Sequence, residues 1–377
     1  MAEQQYFIGN SSFNNLAKIV EQYRPHSVML VRGKTSYTLS GAAKMMEPIF
    51  QKNAIQIVEF MEFSVNPKIE EVEKGIEILQ HQHVDMILTI GGGSALDVAK
   101  AIRFFYTFEQ DENTSAYKQI REPIPLVALP TTAGTGSEAT HFAVLYKNGH
   151  KQSIAHSAIL PDVAIVDPIF TLNASPYLTA CTGFDALAQA IEAYWNINAT
   201  VESDGYAEKA IRALREYLPA LISDGQNMLL REKIATASFF AGKAINITKT
   251  TAPHAFSYPF TTHYGYPHGH AVAMTFPFFM QFNYAETQAQ LLQPLLLDVH
   301  LHKMRQIYAW LGIKTKDDAT ETMKKFINRL GLSLELPTSF NAKLITANVN
   351  VGRLGNNPRV MSDLDIISVV DSMQIYN

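Results

Sequence analysis

The sequence predicts a two-domain protein, in which an α/β domain with a parallel sheet (residues 1–173) precedes an all-α domain (residues 174–377). Three observations indicate this fold class. The chain has 377 residues, more than one hydrophobic core usually serves. In the first half, short apolar runs alternate with helical patterns, as in strand–helix–strand units of a parallel sheet. Beyond about Ser175, long helical patterns replace the strand patterns.

Five apolar runs are the predicted strands of the first domain. They are nearly continuous in aliphatic residues, as strands buried on both faces require. They cover residues 27–31, 54–60, 84–90, 124–130 and 162–167. Between the second and third runs, Ile69, Val72 and Ile76 recur at helical spacing. A hairpin is predicted around Asn148-Gly149, a dipeptide typical of two-residue turns.

The second domain is predicted to be helical throughout. Helical patterns include residues 177–194, 203–222 and 231–244. A two-domain chain commonly binds its ligand between the domains, so the crevice between them is the expected ligand site.

The composition excludes several classes of protein. An apolar fraction of 47% and a charged fraction of 18% exclude a disordered chain. With 31 basic and 35 acidic residues, the chain lacks the single-sign charge that nucleic acids or anionic membranes attract. One cysteine, Cys181, permits neither an internal disulfide nor a cysteine-based zinc site. Without a signal-peptide pattern or a membrane-spanning apolar run, a cytoplasmic protein that binds small molecules is expected.

A glycine-rich loop is the first candidate for phosphate binding. Gly91, Gly92, Gly93 and Ser94 follow a predicted strand and open a helix, with Asp97 placed to form a partial capping box with Ser94. Glycines let a backbone approach a ligand, and free N–H groups at a helix start attract phosphate. The alternative is a tight turn without a ligand, because the spacing is not GxGxxG.

A second polar loop, residues 131–137, also follows a predicted strand. Its hydroxyl groups suit a pyrophosphate or a ribose, and they belong to Thr131, Thr132, Thr135 and Ser137. The alternative is a surface turn stabilised by hydroxyl-to-backbone hydrogen bonds. Two such loops at the ends of parallel strands together predict a dinucleotide-binding crevice.

A stretch rich in histidine and free of acidic residues is the candidate metal region. Residues 233–285 contain no Asp or Glu, whereas His254, His263, His268 and His270 fall close together. Each histidine taken alone is more often an ordinary structural or surface residue. Four of them, flanked by Gly and Pro, favour a functional cluster.

Upstream of this stretch, Asp185 and Gln189 stand one helical turn apart and share a face. A metal site would need Asp185 and two of the histidines to converge, with Gln189 offering at most a neutral oxygen. The alternative is that both are merely polar residues near a helix start.

Five ordered motifs resemble those of the iron-dependent, group III alcohol dehydrogenases. They are GGGSALDVAK (91–100), PTTAGTGSEAT (130–140), PDVAIVDP (161–168), GFDALAQAIEAY (183–194) and PHAFSYPFTTHYGYPHGHAVA (253–273). The resemblance implies a Rossmann-like N-terminal domain, a helical C-terminal domain, a nicotinamide cofactor, a divalent metal that is iron in the family, and at least a homodimer. Dehydroquinate synthases and glycerol-phosphate dehydrogenases share this architecture, but the second and fifth motifs favour the alcohol dehydrogenases.

The resemblance also implies a set of metal ligands. By motif position they are Asp185, Gln189, His254 and His268. Gln189 stands where the family usually has a histidine, and an amide binds late divalent metals more weakly than an imidazole does. Tyr258 likewise replaces a common histidine. A nucleotide-binding protein that has lost its metal is the non-enzymatic alternative.

The residues after the predicted strand 27–31 bear on the choice of cofactor. NAD-dependent family members commonly have an aspartate there, which binds the ribose 2′-hydroxyl, whereas this chain has Gly33. Arg32, Lys34 and Ser36 could instead bind a 2′-phosphate. NADP(H) is therefore favoured over NAD(H), with a basic surface loop as the alternative interpretation.

Within the family, the chain is similar to the phosphonoacetaldehyde reductase branch. Lys249 lies five residues before His254, where a cation could face the substrate and favour an anionic aldehyde. We expect NAD(P)H-dependent reduction of such an aldehyde, with His263 or His270 relaying the proton through the cofactor ribose or water. A dehydrogenase acting on neutral alcohols is the alternative.

Overall fold

The computed structural model describes residues 3–111, 116–147, 150–292 and 296–375. The chain divides into two compact units, Met1–Ala174 and Ser175–Asn377.

A six-stranded parallel sheet forms the centre of the first unit. The strands of this unit, in chain order, are β1 (Gln5–Ile8), β2 (Ser27–Arg32), β3 (Gln56–Phe60), β4 (Met86–Gly91), β5 (Phe108–Gln110), β6 (Tyr117–Gln119), β7 (Leu126–Pro130), β8 (Phe142–Lys147), β9 (His150–Ala155) and β10 (Val163–Val166). The order of strands in the main sheet is β1-β10-β7-β4-β2-β3, whereas β5–β6 and β8–β9 are antiparallel pairs.

The five predicted strands are present, and the parallel sheet confirms the predicted fold class of this region. The hairpin β8–β9 is also present, although its predicted turn, Asn148-Gly149, lies outside the described residues. Strand β1 was missed, because it is four residues long and only half-buried at the sheet edge.

Helices cover both faces of the sheet. They are α1 (Asn15–Tyr23), α2 (Ser36–Leu39), α3 (Ala42–Lys52), α4 (Ile69–His81) and α5 (Gly93–Thr107). Alternate residues of β2 point to opposite faces, so Leu30 packs with Leu16 of α1 and Met46 of α3, and Val31 packs in the cluster of α4 and α5. Two-sided burial explains why the strands are continuously apolar.

The second unit is helical in all of its regular structure that the described residues show. Its helices are α6 (Pro176–Trp195), α7 (Val201–Ser223), α8 (Met228–Thr248), α9 (Ala252–Tyr264), α10 (His268–Phe282), α11 (Leu297–Leu311), α12 (Ala319–Arg329), α13 (Ala342–Ala347), α14 (Val351–Leu354) and α15 (Asp363–Ile375). Helix α6 begins with Pro176 after Ser175, whose hydroxyl accepts a hydrogen bond from the Leu178 N–H at 3.1 Å. Among the described residues, no helix is both long enough and apolar enough to cross a bilayer.

Candidate metal and nucleotide sites

Three side chains from three helices of the second unit converge into a candidate metal centre. Asp185 lies on α6, His254 on α9, and His268 is the first residue of α10. Their ligand atoms all lie within 4.8 Å of one another. Asp185 Oδ1 is 3.3 Å from His254 Nε2 and 3.8 Å from His268 Nε2. The structure thus brings together three ligands that the sequence suggested.

The three ligands differ in their burial. Asp185 and His254 are buried, whereas the His268 side chain is 33% exposed. Tyr258 stacks on His268 with ring centroids 6.1 Å apart, so the residue that replaces a common family histidine borders this centre. His268 is therefore the ligand that solvent reaches most readily.

Gln189 lies beside these ligands and leaves one atom without a partner. Its Nε2 donates to Asp185 Oδ2 at 3.1 Å. Its Oε1 is buried and has no hydrogen-bond partner. An unpartnered buried oxygen is costly unless something binds it, and a divalent cation is such a partner. The donor set of two imidazoles, a carboxylate and an amide oxygen therefore fits a divalent cation.

Glu192 is the residue of this centre that the sequence analysis missed. It is fully buried on α6, and its Oε1 accepts a hydrogen bond from His254 Nδ1. Burial by itself lowers the pKa of His254, but the carboxylates of Glu192 and Asp185 outweigh burial and raise it to about 10. The sequence spacing could have identified it, because Glu192 stands seven residues after Asp185 and shares its helical face.

His270, a predicted proton relay, contacts a protein group through each ring nitrogen. Its Nε2 donates to the Ser333 carbonyl at 2.6 Å, so its Nδ1 accepts the Tyr177 hydroxyl at 2.8 Å. Both ring nitrogens are therefore occupied by protein groups. A role for His270 as a proton relay through the cofactor ribose or water stays a prediction.

His263 and Lys249 both have exposed side chains. His263 lies in the last turn of α9, where a cation interacts favourably with the helix end. Lys249 follows α8 with φ of 65°, a left-handed conformation that is unusual for lysine. Its carbonyl oxygen accepts a hydrogen bond from Asn196 Nδ2 at 3.1 Å, which holds this backbone turn.

Three loops of the first unit meet at the carboxyl end of the sheet. A Cβ atom at Gly93 would lie 2.8 Å from Thr135 Cγ2, and one at Gly91 would lie 3.4 Å from the Gly33 nitrogen. A Cβ atom at Gly92 would contact Thr132 at 3.6 Å. The loops predicted to bind a dinucleotide are therefore packed against one another. This packing is possible because the glycines have no side chain.

Two features at these loops fit a dinucleotide. No side chain caps the first turn of α5, whose N-cap residue is Gly92, so backbone N–H groups there can receive a phosphate. The Thr131 hydroxyl is buried without a hydrogen-bond partner. Ser94, in contrast, donates its hydroxyl to the Val65 carbonyl.

Asp97 and Ser137 hydrogen-bond to each other and to neighbouring protein groups. Ser137 Oγ donates to Asp97 Oδ1 at 2.6 Å, and Lys100 Nζ donates to Ser137 Oγ at 2.8 Å. Asp97 Oδ2 accepts from the Val144 N–H at 3.0 Å. The predicted capping box is wrong, since α5 begins at Gly93 and Asp97 is engaged elsewhere. Both residues hold the 131–137 loop in place, and their predicted contact with a nucleotide stays a prediction.

The loop after β2 holds a charge pair that the sequence did not reveal. Arg32 Nη2 bonds Glu59 Oε2 at 2.7 Å, and its guanidinium lies 5.0 Å from the centre of the Tyr37 ring. This carboxylate comes from outside the loop, because β3 places Glu59 beside β2. Lys34 is exposed, and Ser36 begins α2.

Two sequence profiles decide the family. The profile for iron-containing alcohol dehydrogenase matches residues 3–168, and that for the C-terminal part of the Fe-containing alcohol dehydrogenase family matches residues 179–369. The chain belongs to the iron-containing alcohol dehydrogenase family. The two matches confirm the predicted resemblance to this enzyme family. They decide against the alternative that the chain is a dehydroquinate synthase.

Relatives within the alcohol dehydrogenase family have several stated activities. The probable alcohol dehydrogenase EutG of Salmonella typhimurium is 39% identical over 58% of this chain and 56% of its own. The 1,3-propanediol dehydrogenase of Citrobacter freundii is 38% identical over 75% of this chain and 72% of its own. The chain thus matches little more than half the length of some relatives.

A solved family structure covers nearly the whole chain. The sulfoacetaldehyde reductase of Bifidobacterium kashiwanohense, in complex with NAD+, superimposes with a TM-score of 0.85 and 28% identity. The alignment covers 99% of this chain and 98% of that one. The parallel-sheet unit and the helical unit are therefore those of the family.

Proposed function

We propose that this chain reduces a small anionic aldehyde to its alcohol with NAD(P)H, and that phosphonoacetaldehyde, giving 2-hydroxyethylphosphonate, is the best single candidate. The observation that carries the proposal is the convergence of Asp185, His254 and His268. Family membership supports the oxidoreductase chemistry.

In this reaction, NAD(P)H supplies the hydride to the aldehyde carbon, and a divalent cation supplies Lewis acidity toward the carbonyl oxygen. Asp185, His254 and His268 would hold the cation, with the unpartnered Oε1 of Gln189 as a fourth donor. The partly exposed His268 marks the side on which the substrate would enter.

The product oxygen takes up one proton, and His270, acting through the cofactor ribose or a water molecule, is one candidate relay. Its Nδ1 accepts a hydrogen bond from the Tyr177 hydroxyl and its Nε2 donates to the Ser333 carbonyl. The exposed His263 is the alternative relay.

The charge of the region supports an anionic substrate. Residues 233–285 hold no carboxylate, and the exposed Lys249 stands at the turn that leads into α9 and His254. A relative whose stated substrate is sulfoacetaldehyde, an anionic aldehyde, supports the same class. Lys249 would pair with the phosphonate or a comparable anion.

For the cofactor, we propose NADP(H) ahead of NAD(H), and iron as the metal. Gly33 leaves no carboxylate in the loop after β2, and Lys34 is exposed there. The pairing of Glu59 with Arg32 neutralises a charge that would otherwise repel a 2′-phosphate. A cytoplasmic location and a homo-oligomer are further predictions from the sequence.

The test is a substrate panel with the metal-loaded protein. Oxidation of NADPH and NADH is followed with phosphonoacetaldehyde, sulfoacetaldehyde, propanal and 3-hydroxypropanal at constant ionic strength. The proposal expects kcat/KM to be at least about 10-fold higher for the two anionic aldehydes. Higher kcat/KM for the neutral aldehydes would favour the alternative, which the 1,3-propanediol dehydrogenase relative supports.

A further inference from the structure

Glu192 is a buried carboxylate to which the proposed chemistry gives no task. It is fully buried on α6, on the same helical face as Asp185 and Gln189. A buried charge is costly unless every oxygen is satisfied by hydrogen bonds or a compensating charge. The hydrogen bonds to its two oxygens therefore show how the protein stabilises this charge.

Three donors fix the two oxygens of this carboxylate. Oε2 accepts from the Thr251 N–H at 2.6 Å and from the Thr251 hydroxyl at 2.9 Å, and Oε1 accepts from His254 Nδ1. The Thr251 hydroxyl oxygen in turn accepts from Trp195 Nε1 at 3.0 Å. Thr251 thus fixes the orientation of the carboxylate through Oε2, the oxygen that does not bond His254.

The fixed carboxylate determines which ring nitrogen of His254 carries the proton. An ionised carboxylate only accepts hydrogen bonds, so Nδ1 must be the donor. Nε2, which is 3.3 Å from Asp185 Oδ1, is then the nitrogen that offers its lone pair once a cation displaces its proton. Glu192 and Asp185 also place two negative charges in a buried space, which a divalent cation would balance.

We propose that Glu192 is the positioning residue of the metal centre: it sets the tautomer and ring orientation of His254 and balances the charge of the bound cation. This inference rests on the proposed function only in taking Asp185, His254 and His268 as metal ligands. It is independent of the aldehyde and of the nicotinamide cofactor.

The variant Glu192→Gln makes a sharp test. The Thr251 N–H is a buried donor, so the amide oxygen of Gln would face it and the amide NH2 would face His254. Nδ1 would then have to accept, and the ring proton would move to Nε2, the atom that faces the cluster. We expect Co2+ affinity, measured by competition with a chromophoric chelator, to fall about 10- to 100-fold.

A second measurement separates positioning from general damage. In the Zn2+-loaded protein, 15N chemical shifts should show His254 protonated on Nδ1 alone in the wild type, a signature that Glu192→Gln should lose, while the circular dichroism spectrum is unchanged. The control Glu138→Gln alters a buried glutamate of the first unit and should leave Co2+ affinity unchanged. Equal Co2+ affinity of wild type and Glu192→Gln would overturn the proposal.

Should Glu192→Gln fail to fold, Thr251→Val takes its place. It removes the hydroxyl bond to Oε2 and keeps the backbone N–H, so a severalfold loss of Co2+ affinity is expected, and unchanged affinity overturns the proposal. A wild type that binds Co2+ through this network but reduces no aldehyde would contradict the proposed function and leave this inference standing.

Discussion

Gly269, on the first turn of α10, lies against Cys181 of α6 so closely that a Cβ atom at Gly269 would be 1.9 Å from the Cys181 carbonyl oxygen and 3.1 Å from Asp185 Cβ. No side chain can occupy that space, because the obstructing atom belongs to the backbone. The close crossing of the two helices places Asp185 next to His268, the residue before Gly269.

Gly269→Ala should therefore open the metal centre. The helices must separate, so we expect metal affinity to fall by more than about 10-fold and the melting temperature to fall by several degrees. Gly205→Ala on α7 is the matched control, because a Cβ atom there meets nothing within 4 Å. That variant should be as stable as the wild type or about 0.5–1 kcal/mol more stable. Metal retention by Gly269→Ala equal to that of the control would refute the argument.

Cofactor choice can be tested at Gly33. A Cβ atom there would lie 2.1 Å from Ser36 Oγ, so an aspartate is introduced together with Ser36→Ala to remove the clash. Repulsion of the 2′-phosphate should shift preference toward NADH by about 1–3 kcal/mol. The measurement is kcat/KM for NADPH and NADH, with Ser36→Ala alone as control. A wild type that already prefers NADH would contradict the NADP(H) proposal.

Substrate charge can be tested at Lys249. Lys249→Met removes the cation and keeps a long side chain, so kcat/KM for phosphonoacetaldehyde should fall about 10- to 150-fold while propanal is nearly unaffected. Lys233→Met, on an exposed position of α8, is the control. Equal losses on both aldehydes would assign Lys249 to fold or cofactor binding instead.

Glu138 should make the stability of the protein depend on pH. Burial raises its pKa from 4.5 to about 7 in the folded chain. Its contribution to stability is complete below pH 4.5 and is lost as pH rises through about 7, because only the unfolded chain ionises freely in that window. The free energy of unfolding should therefore decrease in the wild type between pH 4.5 and about 7. This decrease should exceed that of Glu138→Gln by on the order of 1–3 kcal/mol. Parallel pH profiles for both proteins would contradict this.

The sequence predicted those features that depend on local pattern. Continuous apolar runs located the central strands, since two-sided burial demands them. The motif positions named Asp185, His254 and His268, which the fold brings together. Their role as metal ligands stays a prediction.

Features that depend on packing between distant segments were not predictable. Arg32 and Glu59 meet only because β2 and β3 pair in one register. The bonds from Asp97 to Ser137 and Val144 likewise join segments about 40 residues apart in sequence, so the carboxylate looked free for a helix cap. Glu192 had the right helical spacing, but its partner Thr251 lies 59 residues away.

The most direct test of the central claim is the dependence of turnover on metal at this centre. Protein stripped of metal with a chelator is titrated anaerobically with Fe2+. The rate of NADPH oxidation by phosphonoacetaldehyde and the amount of bound iron per chain are measured at each step. We expect activity to rise in proportion to iron and to saturate at one ion per chain, with neither binding nor activity in Asp185→Ala. Full turnover by the stripped protein, or by Asp185→Ala, would contradict the account.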